Sequence, residues 1–143
     1  MAKDTRRLLF LLVDDEPMIT KAYQRVIDQR IARNSCIADP RISVMRQTSP
    51  ENALAVLAEC EKDYAAVFVI SDLEMGGRMS GTAFIEKLRK LFGDRIKFER
   101  IVTGAIHLPL EEAKRLDIEV CHKPMSASSL QSCIDEFLAL LRE

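Results

Sequence analysis

Residues 7–17 read RLLFLLVDDEP, a run of apolar side chains that ends abruptly in three acids and a proline. The apolar run is continuous rather than alternating, which is typical of a strand buried on both faces of a sheet. Proline is favoured in the first turn of a helix, so Pro17 predicts that a helix follows the acids. The segment therefore predicts a buried strand, an acidic loop and a helix in direct succession.

The same unit of strand and helix recurs along the rest of the chain. Strands are predicted at 7–13, 42–46, 65–70, 98–103 and 118–121. Helices are predicted over 17–33, from Pro50 with Ser49 as N-cap, along 84–92, over 109–116 and along 130–141. Apolar residues at helical spacing and local capping signals support the helices. Five alternations with short connections indicate an α/β protein with a parallel sheet and helices on both faces.

Length and composition restrict the class of protein. The 143 residues fit one domain, and 48% apolar with 30% charged residues is typical of a globular protein rather than a disordered chain. A formal net charge of −1 argues against nucleic-acid binding through bulk electrostatics. The longest apolar runs have six residues, against the roughly 20 that span a bilayer, and the N-terminus does not resemble a signal peptide. We expect a cytoplasmic protein that binds neither nucleic acid nor membrane.

Two groups of side chains predict no site of their own. Four scattered cysteines lack a Cys-x-x-Cys spacing, so we expect reduced thiols. Six basic residues are interleaved with acids, which predicts a solvated surface of mixed charge. These residues are Lys87, Arg89, Lys90, Arg95, Lys97 and Arg100.

The carboxyl ends of the predicted strands carry the side chains that could perform chemistry. In open parallel sheets the functional crevice lies beyond these ends. Asp14, Asp15 and Glu16 follow the first strand, Asp72 the third, Thr103 ends the fourth, and Lys123 follows the fifth. Two carboxylates about 4 Å apart repel by about 4 kcal/mol at an effective dielectric of 20, so such a cluster would raise its own pKa values or need cations. Lys123 supplies one, and Mg²⁺ suits a site with oxygen ligands, waters and a phosphate.

Four motifs in this order resemble the receiver domains of two-component response regulators. They are LVDDEP at 12–17, SDLEM at 71–75, VTG at 102–104 and HKP at 122–124. The resemblance covers about residues 7–141 and implies a flavodoxin-like, doubly wound parallel sheet of five strands in the order 2-1-3-4-5. It also implies that residues 1–143 form a single receiver domain, without room for an output domain.

The resemblance implies a metal role for each matching acid. Asp15 would bind Mg²⁺ directly, and Asp14 would lie near the ion or bind it through water. Asp72 and the backbone carbonyl of Glu74 would complete the protein ligands.

The resemblance also implies the phosphoryl chemistry. Asp72 would be the phosphoacceptor, Thr103 would bond a phosphoryl oxygen, and Lys123 would pair with the phosphoryl group. The donor would be a histidine kinase or phosphotransfer protein, and a downstream protein of unknown identity would read the result. Such a domain is not an enzyme in the usual sense, because it catalyses only its own phosphorylation and dephosphorylation.

Departures from the receiver pattern leave other interpretations open, and so do the motif residues when each is considered alone. A pseudo-receiver that binds proteins independently of phosphorylation is the main alternative. Val120 stands where many receivers have Tyr or Phe, and Met75 is followed by Gly76-Gly77 where the family often has Met-Pro. A Mg²⁺-dependent phosphatase of similar fold would have Asp-x-Asp after the first strand, whereas the acids here are adjacent. Asp14-Asp15 alone also fits helix capping.

Overall fold

The computed structural model describes residues 6–34, 41–75, 79–104, 111–123 and 125–139. These residues form alternating strands and helices. They are β1 (Arg7–Val13), α1 (Pro17–Asn34), β2 (Ile42–Gln47), α2 (Pro50–Cys60), β3 (Tyr64–Asp72), α3 (Gly81–Phe92), β4 (Ile96–Thr103), α4 (Glu111–Arg115), β5 (Glu119–His122) and α5 (Ala127–Leu138). Short 3₁₀ turns at Glu61–Asp63 and Gly93–Arg95 lead into β3 and β4.

The strands form one sheet in the order β2-β1-β3-β4-β5. Every neighbouring pair is parallel. Val13 lies beside Ser71, Asp72 beside Val102, and Thr103 beside His122, so the carboxyl ends of four strands meet at one edge. The fold class, the strand order and the flavodoxin-like topology are confirmed.

The two faces of β1 explain its continuous apolar run. Leu8, Phe10 and Leu12 face a core formed with α1 and α5, where the rings of Phe10 and Phe137 make an edge contact with centroids 5.1 Å apart. The alternate residues of the strand face a second core, formed with α2 and α3. Since each buried leucine side chain contributes about 1.5–3 kcal/mol, the run stabilises both layers.

The strand ends differ in detail from the predictions. β3 continues through Ser71 and Asp72, because these polar residues keep their ladder positions beside Ile101 and Val102 of β4. β5 begins and ends one residue later than predicted, since the Ile118 N–H is used to close α4 on the Ala113 carbonyl. The predicted helix start at Pro109 and the end of the last helical stripe at Leu141 lie outside the described residues.

The capping prediction for α2 is confirmed. Ser49 accepts a hydrogen bond from the backbone N–H of Asn52, Pro50 is the first helical residue, and Glu51 lies in the first turn. Serines also cap α3 and α5 in the same way. None of the described helices is both long and apolar enough to cross a membrane.

The prediction of a solvated basic surface is wrong for the three arginines of the group. Arg89 pairs with Glu99, and Arg95 pairs with Glu61. Arg100, whose side chain is only 17% exposed, pairs with Glu119 of β5 at 2.6 Å. Their guanidinium groups reach charged partners on other elements, which the local sequence does not reveal. Among the described cysteines, Cys60, Cys121 and Cys133 are free thiols, as expected.

Candidate functional site

The ammonium group of Lys123 lies between two buried carboxylates at the carboxyl edge of the sheet. Its Nζ is 2.9 Å from Oδ2 of Asp14 and 3.2 Å from Oδ2 of Asp72. The exposed fractions of the side chains are 14% for Lys123, 4% for Asp14 and 7% for Asp72. The structure therefore brings together three residues that are distant in the sequence and predicted to meet.

Backbone N–H groups orient both carboxylates. The Glu16 N–H donates to Oδ1 of Asp14 at 2.9 Å, and the Leu73 N–H donates to Oδ1 of Asp72 at 2.8 Å. In each case the second oxygen, Oδ2, is the one that faces Lys123. The two side chains are thus held in one orientation by the main chain that immediately follows them.

The ends of the strands fix the backbone around these side chains. The Asp14 N–H donates to the carbonyl of Gln47 at the end of β2 at 3.1 Å. The Lys123 N–H donates to the carbonyl of Thr103 at the end of β4 at 2.9 Å. Parallel pairing therefore continues one residue beyond β1 and β5, which positions the first and last members of the cluster.

A third carboxylate borders this pair. Oxygens of Asp14, Asp15 and Asp72 lie within 4.8 Å of one another, and in the described part of the chain they form a group that could hold a metal ion. Asp15 is exposed, whereas the other two are buried. Three carboxylates facing one ammonium leave an excess of negative charge. Hard oxygen donors with this excess fit a divalent cation such as Mg²⁺.

The excess charge changes the ionisation of the cluster. Burial and repulsion from Asp14 raise the pKa of Asp72, although hydrogen bonding to Lys123 opposes the change. Asp15 is exposed overall, but partial desolvation of its carboxyl and repulsion from Asp14 also raise its pKa. Burial alone would lower the pKa of Lys123, but its hydrogen bonds to Asp14 and Asp72 raise it above the ordinary value. Lys123 therefore stays charged at neutral pH.

The remaining predicted residues surround the cluster. Thr103 is the last residue of β4 and is buried. Glu74 follows Asp72 by two residues and its side chain is exposed. Val120 is half-buried and packs against an apolar cluster that includes Ile101. Gly76-Gly77 and Pro124 lie outside the described residues.

Asp14 does not act as the N-cap of α1. Its carboxylate accepts the N–H of Glu16, which precedes the helix, rather than an N–H of the first turn that begins at Pro17. The helix-capping interpretation is therefore wrong for Asp14, because the acidic loop forms its own turn before the helix begins.

Two contributions to the site were not predicted in these roles. The exposed side chain of Glu16 lies 3.6 Å from Nζ of Lys123, so the ammonium faces a further carboxylate. Gly81 donates its N–H to the Leu73 carbonyl at 2.8 Å, and a Cβ atom there would overlap the Asp72 carbonyl oxygen. A glycine immediately before a predicted helix was the available signal for this close approach.

Comparison with known proteins extends this description. No protein-family model and no curated protein matches the sequence. Solved structures do match over nearly the whole chain. A response regulator receiver domain protein from Clostridium thermocellum has a TM-score of 0.68 at 20% identity, covering 94% of this chain and 97% of that one. The chain has the receiver-domain fold.

Two further receiver structures support this assignment. A CheY-like receiver domain from Methylobacillus flagellatus has a TM-score of 0.66 at 20% identity, covering 92% of this chain and 98% of that chain. A receiver protein from Sinorhizobium medicae has a TM-score of 0.66 at 18% identity, with coverages of 93% and 95%. At these identities the similarity establishes the receiver fold, and chemistry has to be argued from the site itself.

Proposed function

We propose that the protein is a phosphoacceptor receiver of a two-component phosphorelay, with one receiver domain in residues 1–143 and its core in about 7–141. Asp72 would accept a phosphoryl group from a histidine kinase or phosphotransfer protein. The observation that carries the proposal is the ammonium of Lys123 held by Asp14 and Asp72, beside the third carboxylate of Asp15, at the carboxyl edge of a receiver-type sheet.

The transfer uses the Asp72 carboxylate as nucleophile. One of its oxygens attacks phosphorus in line, so that an O–P bond forms while the N–P bond to the donor imidazole breaks. The imidazole nitrogen keeps the electron pair and takes up a proton. Because the Leu73 N–H and Lys123 already fix the carboxylate, little reorganisation of Asp72 precedes the attack.

The cluster supports Mg²⁺ as the cofactor. Asp14, Asp15 and Asp72, with the backbone carbonyl of Glu74, would hold the ion. When bound, it supplies positive charge to the phosphoryl oxygens. Two observations support the fit. Three carboxylate oxygens lie within 4.8 Å of one another, and one lysine leaves part of their negative charge uncompensated.

Lys123 and Thr103 would stabilise the phosphoryl group. Lys123 remains protonated and close to the attacking oxygen, so its charge is available to the equatorial oxygens of the transition state. The Thr103 hydroxyl, at the end of the neighbouring strand, would donate to a phosphoryl oxygen. The protein would catalyse only its own phosphorylation and, by hydrolysis, its own dephosphorylation, rather than turn over an external substrate.

The product would act as a signal. A phosphoryl group adds about −1.5 to −2 charge and three strong acceptors, which changes the surface that a downstream protein contacts. We propose that this protein is cytoplasmic, where the kinase domain that phosphorylates it would be found, and that the signal passes to another protein rather than to nucleic acid.

Mass spectrometry of the intact protein tests the proposal. Incubation with Mg²⁺ and acetyl phosphate is expected to add the mass of one phosphoryl group, stable in acid and labile in base, at Asp72. Asp72→Asn should abolish the addition. Asp63→Asn, which changes an exposed acid at the opposite end of β3, should not. An unmodified wild-type protein that also fails to bind beryllofluoride would overturn the proposal in favour of the phosphorylation-independent binding module.

A further inference from the structure

The segment that carries Lys123 is anchored at a second point beyond β5. The first point is the backbone N–H of Lys123 itself, which donates to the Thr103 carbonyl. After Lys123 comes Pro124, which has no N–H, so the Met125 N–H is the first main-chain donor beyond the lysine. This N–H donates to the hydroxyl oxygen of Tyr23 at 3.3 Å.

Tyr23 comes from a distant element and is itself buried. It lies in the second turn of α1, is 5% exposed, and is 102 residues from Met125 in the sequence. Its ring packs in the core between the sheet and α5, a role that phenylalanine would fill equally well. The hydroxyl supplies the acceptor for this buried N–H, and buried backbone donors require such partners.

We propose that Tyr23 is a positioning residue for Lys123. α1 begins directly after the acidic loop of Asp14 and Asp15, so the hydrogen bond from Met125 to Tyr23 connects the acidic side of the crevice to the segment that carries the ammonium. With Thr103 on one side and Tyr23 on the other, the backbone of Lys123 is held so that Nζ reaches Asp14 and Asp72 together.

The inference rests on the proposed function for its ligand, beryllofluoride, which mimics the phosphoryl group that Lys123 would pair with. Tyr23→Phe is expected to weaken beryllofluoride binding in saturating Mg²⁺ about three- to tenfold, the change that loss of one net hydrogen bond produces. Mg²⁺ affinity, measured alone, should remain unchanged because the carboxylates of Asp14 and Asp72 keep their own backbone hydrogen bonds. A merely structural role would instead weaken both ligands in parallel, and that result would overturn the inference.

The chain contains a matched control, because Tyr64 is its one other tyrosine. It is also buried but begins β3, at the end of the sheet opposite the crevice. Tyr64→Phe should leave both affinities unchanged. An equal loss of beryllofluoride affinity in the two variants would show a general effect of removing a buried hydroxyl and would contradict the role of Tyr23.

Hydrogen exchange tests the same contact without any ligand. Tyr23→Phe should speed exchange of the Met125 amide and of the Lys123 ammonium, whereas Tyr64→Phe should change neither. If wild-type protein fails to bind beryllofluoride, the proposed function fails while this result still decides the positioning role. Unchanged exchange at both groups would overturn it.

Discussion

Replacing Asp15 with asparagine is predicted to stabilise the protein in the absence of divalent ions and to reduce its stabilisation by Mg²⁺. Asparagine keeps the shape of the side chain and removes its charge. Asp15 suits this test because it lies within 4.8 Å of Asp14 and Asp72 at the rim of the cluster. The bonds that hold Lys123 involve the other two carboxylates and stay intact.

The size of the effect follows from the separation of the charges. Two like charges 4.8 Å apart repel by about 0.9 kcal/mol in water and about 3.5 kcal/mol at an effective dielectric of 20. Asp15 is exposed, so solvent screening brings the repulsion towards the lower figure, and attraction to Lys123 offsets part of it. We expect a gain of about 1 kcal/mol, or about 3–5 °C in Tm for a domain of this size.

Denaturation in chelator and in Mg²⁺ measures both effects. Mg²⁺ at about ten times its Kd should stabilise the wild-type protein by about 1.4 kcal/mol. Asp15→Asn, which lacks one anionic ligand, should gain much less at the same concentration. The control Asp63→Asn, outside the crevice, should match the wild type in both conditions. A variant that is less stable than the wild type in chelator would refute the electrostatic reasoning.

The same experiment has a predicted pH dependence. Partial desolvation of the carboxyl and repulsion from Asp14 raise the pKa of Asp15 above its ordinary value of 3.8 in the folded protein. The folded state then binds this proton more tightly than the unfolded chain, so ionisation begins to cost stability above pH 3.8 and costs the full amount above the raised pKa. The advantage of Asp15→Asn should be full at pH 7, shrink as the pH falls through the raised pKa, and vanish below 3.8.

Two further substitutions test the packing and the charge of the crevice. Gly81→Ala should destabilise the protein by about 1–3 kcal/mol in urea denaturation, because the added Cβ overlaps the Asp72 carbonyl and a packed neighbour must move; an unchanged midpoint would contradict this close approach. Lys123→Met should cost about 3–5 kcal/mol at pH 7, since it leaves Asp14 and Asp72 buried without their cation. Acid should recover most of that loss as the carboxylates protonate, and a loss that is independent of pH would point to packing instead.

The sequence was sufficient for the order of the elements and for the members of the cluster. Continuous apolar runs identify β1 and β3, because both faces of these strands are covered, and a parallel sheet then brings the residues after each strand to one edge. That reasoning predicted that Asp14, Asp72 and Lys123 would meet. It did not predict that Asp72 belongs to β3 itself, because hydrophobicity alone does not distinguish a polar residue in a ladder from one in a loop.

The features that the sequence did not predict depend on contacts between residues that are distant in the chain. The bond from Met125 to Tyr23 joins two segments whose local sequences contain no sign of each other, and a tyrosine in an apolar helical stripe has the same pattern as a core residue. Arg95 illustrates the same limit. Charge interleaving predicted a solvated side chain, but the guanidinium donates to the Tyr64 carbonyl at 3.0 Å as well as pairing with Glu61.

The charge balance of the crevice differs from that of the ion pairs elsewhere in the described residues, and the difference favours a functional interpretation. Elsewhere in the described residues the ion pairs join an arginine guanidinium to a carboxylate. Among these pairs are Arg30–Asp135, Arg89–Glu99, Arg95–Glu61, Arg100–Glu119 and Arg115–Glu86. In the crevice one ammonium contacts Asp14, Glu16 and Asp72, with Asp15 beside them. Repulsion among buried carboxylates opposes folding, so stability alone does not explain the arrangement. A divalent cation would neutralise the excess negative charge, and a phosphoryl group would bond to the fixed carboxylate and pair with the single lysine. The proposed chemistry therefore accounts for the site as a whole.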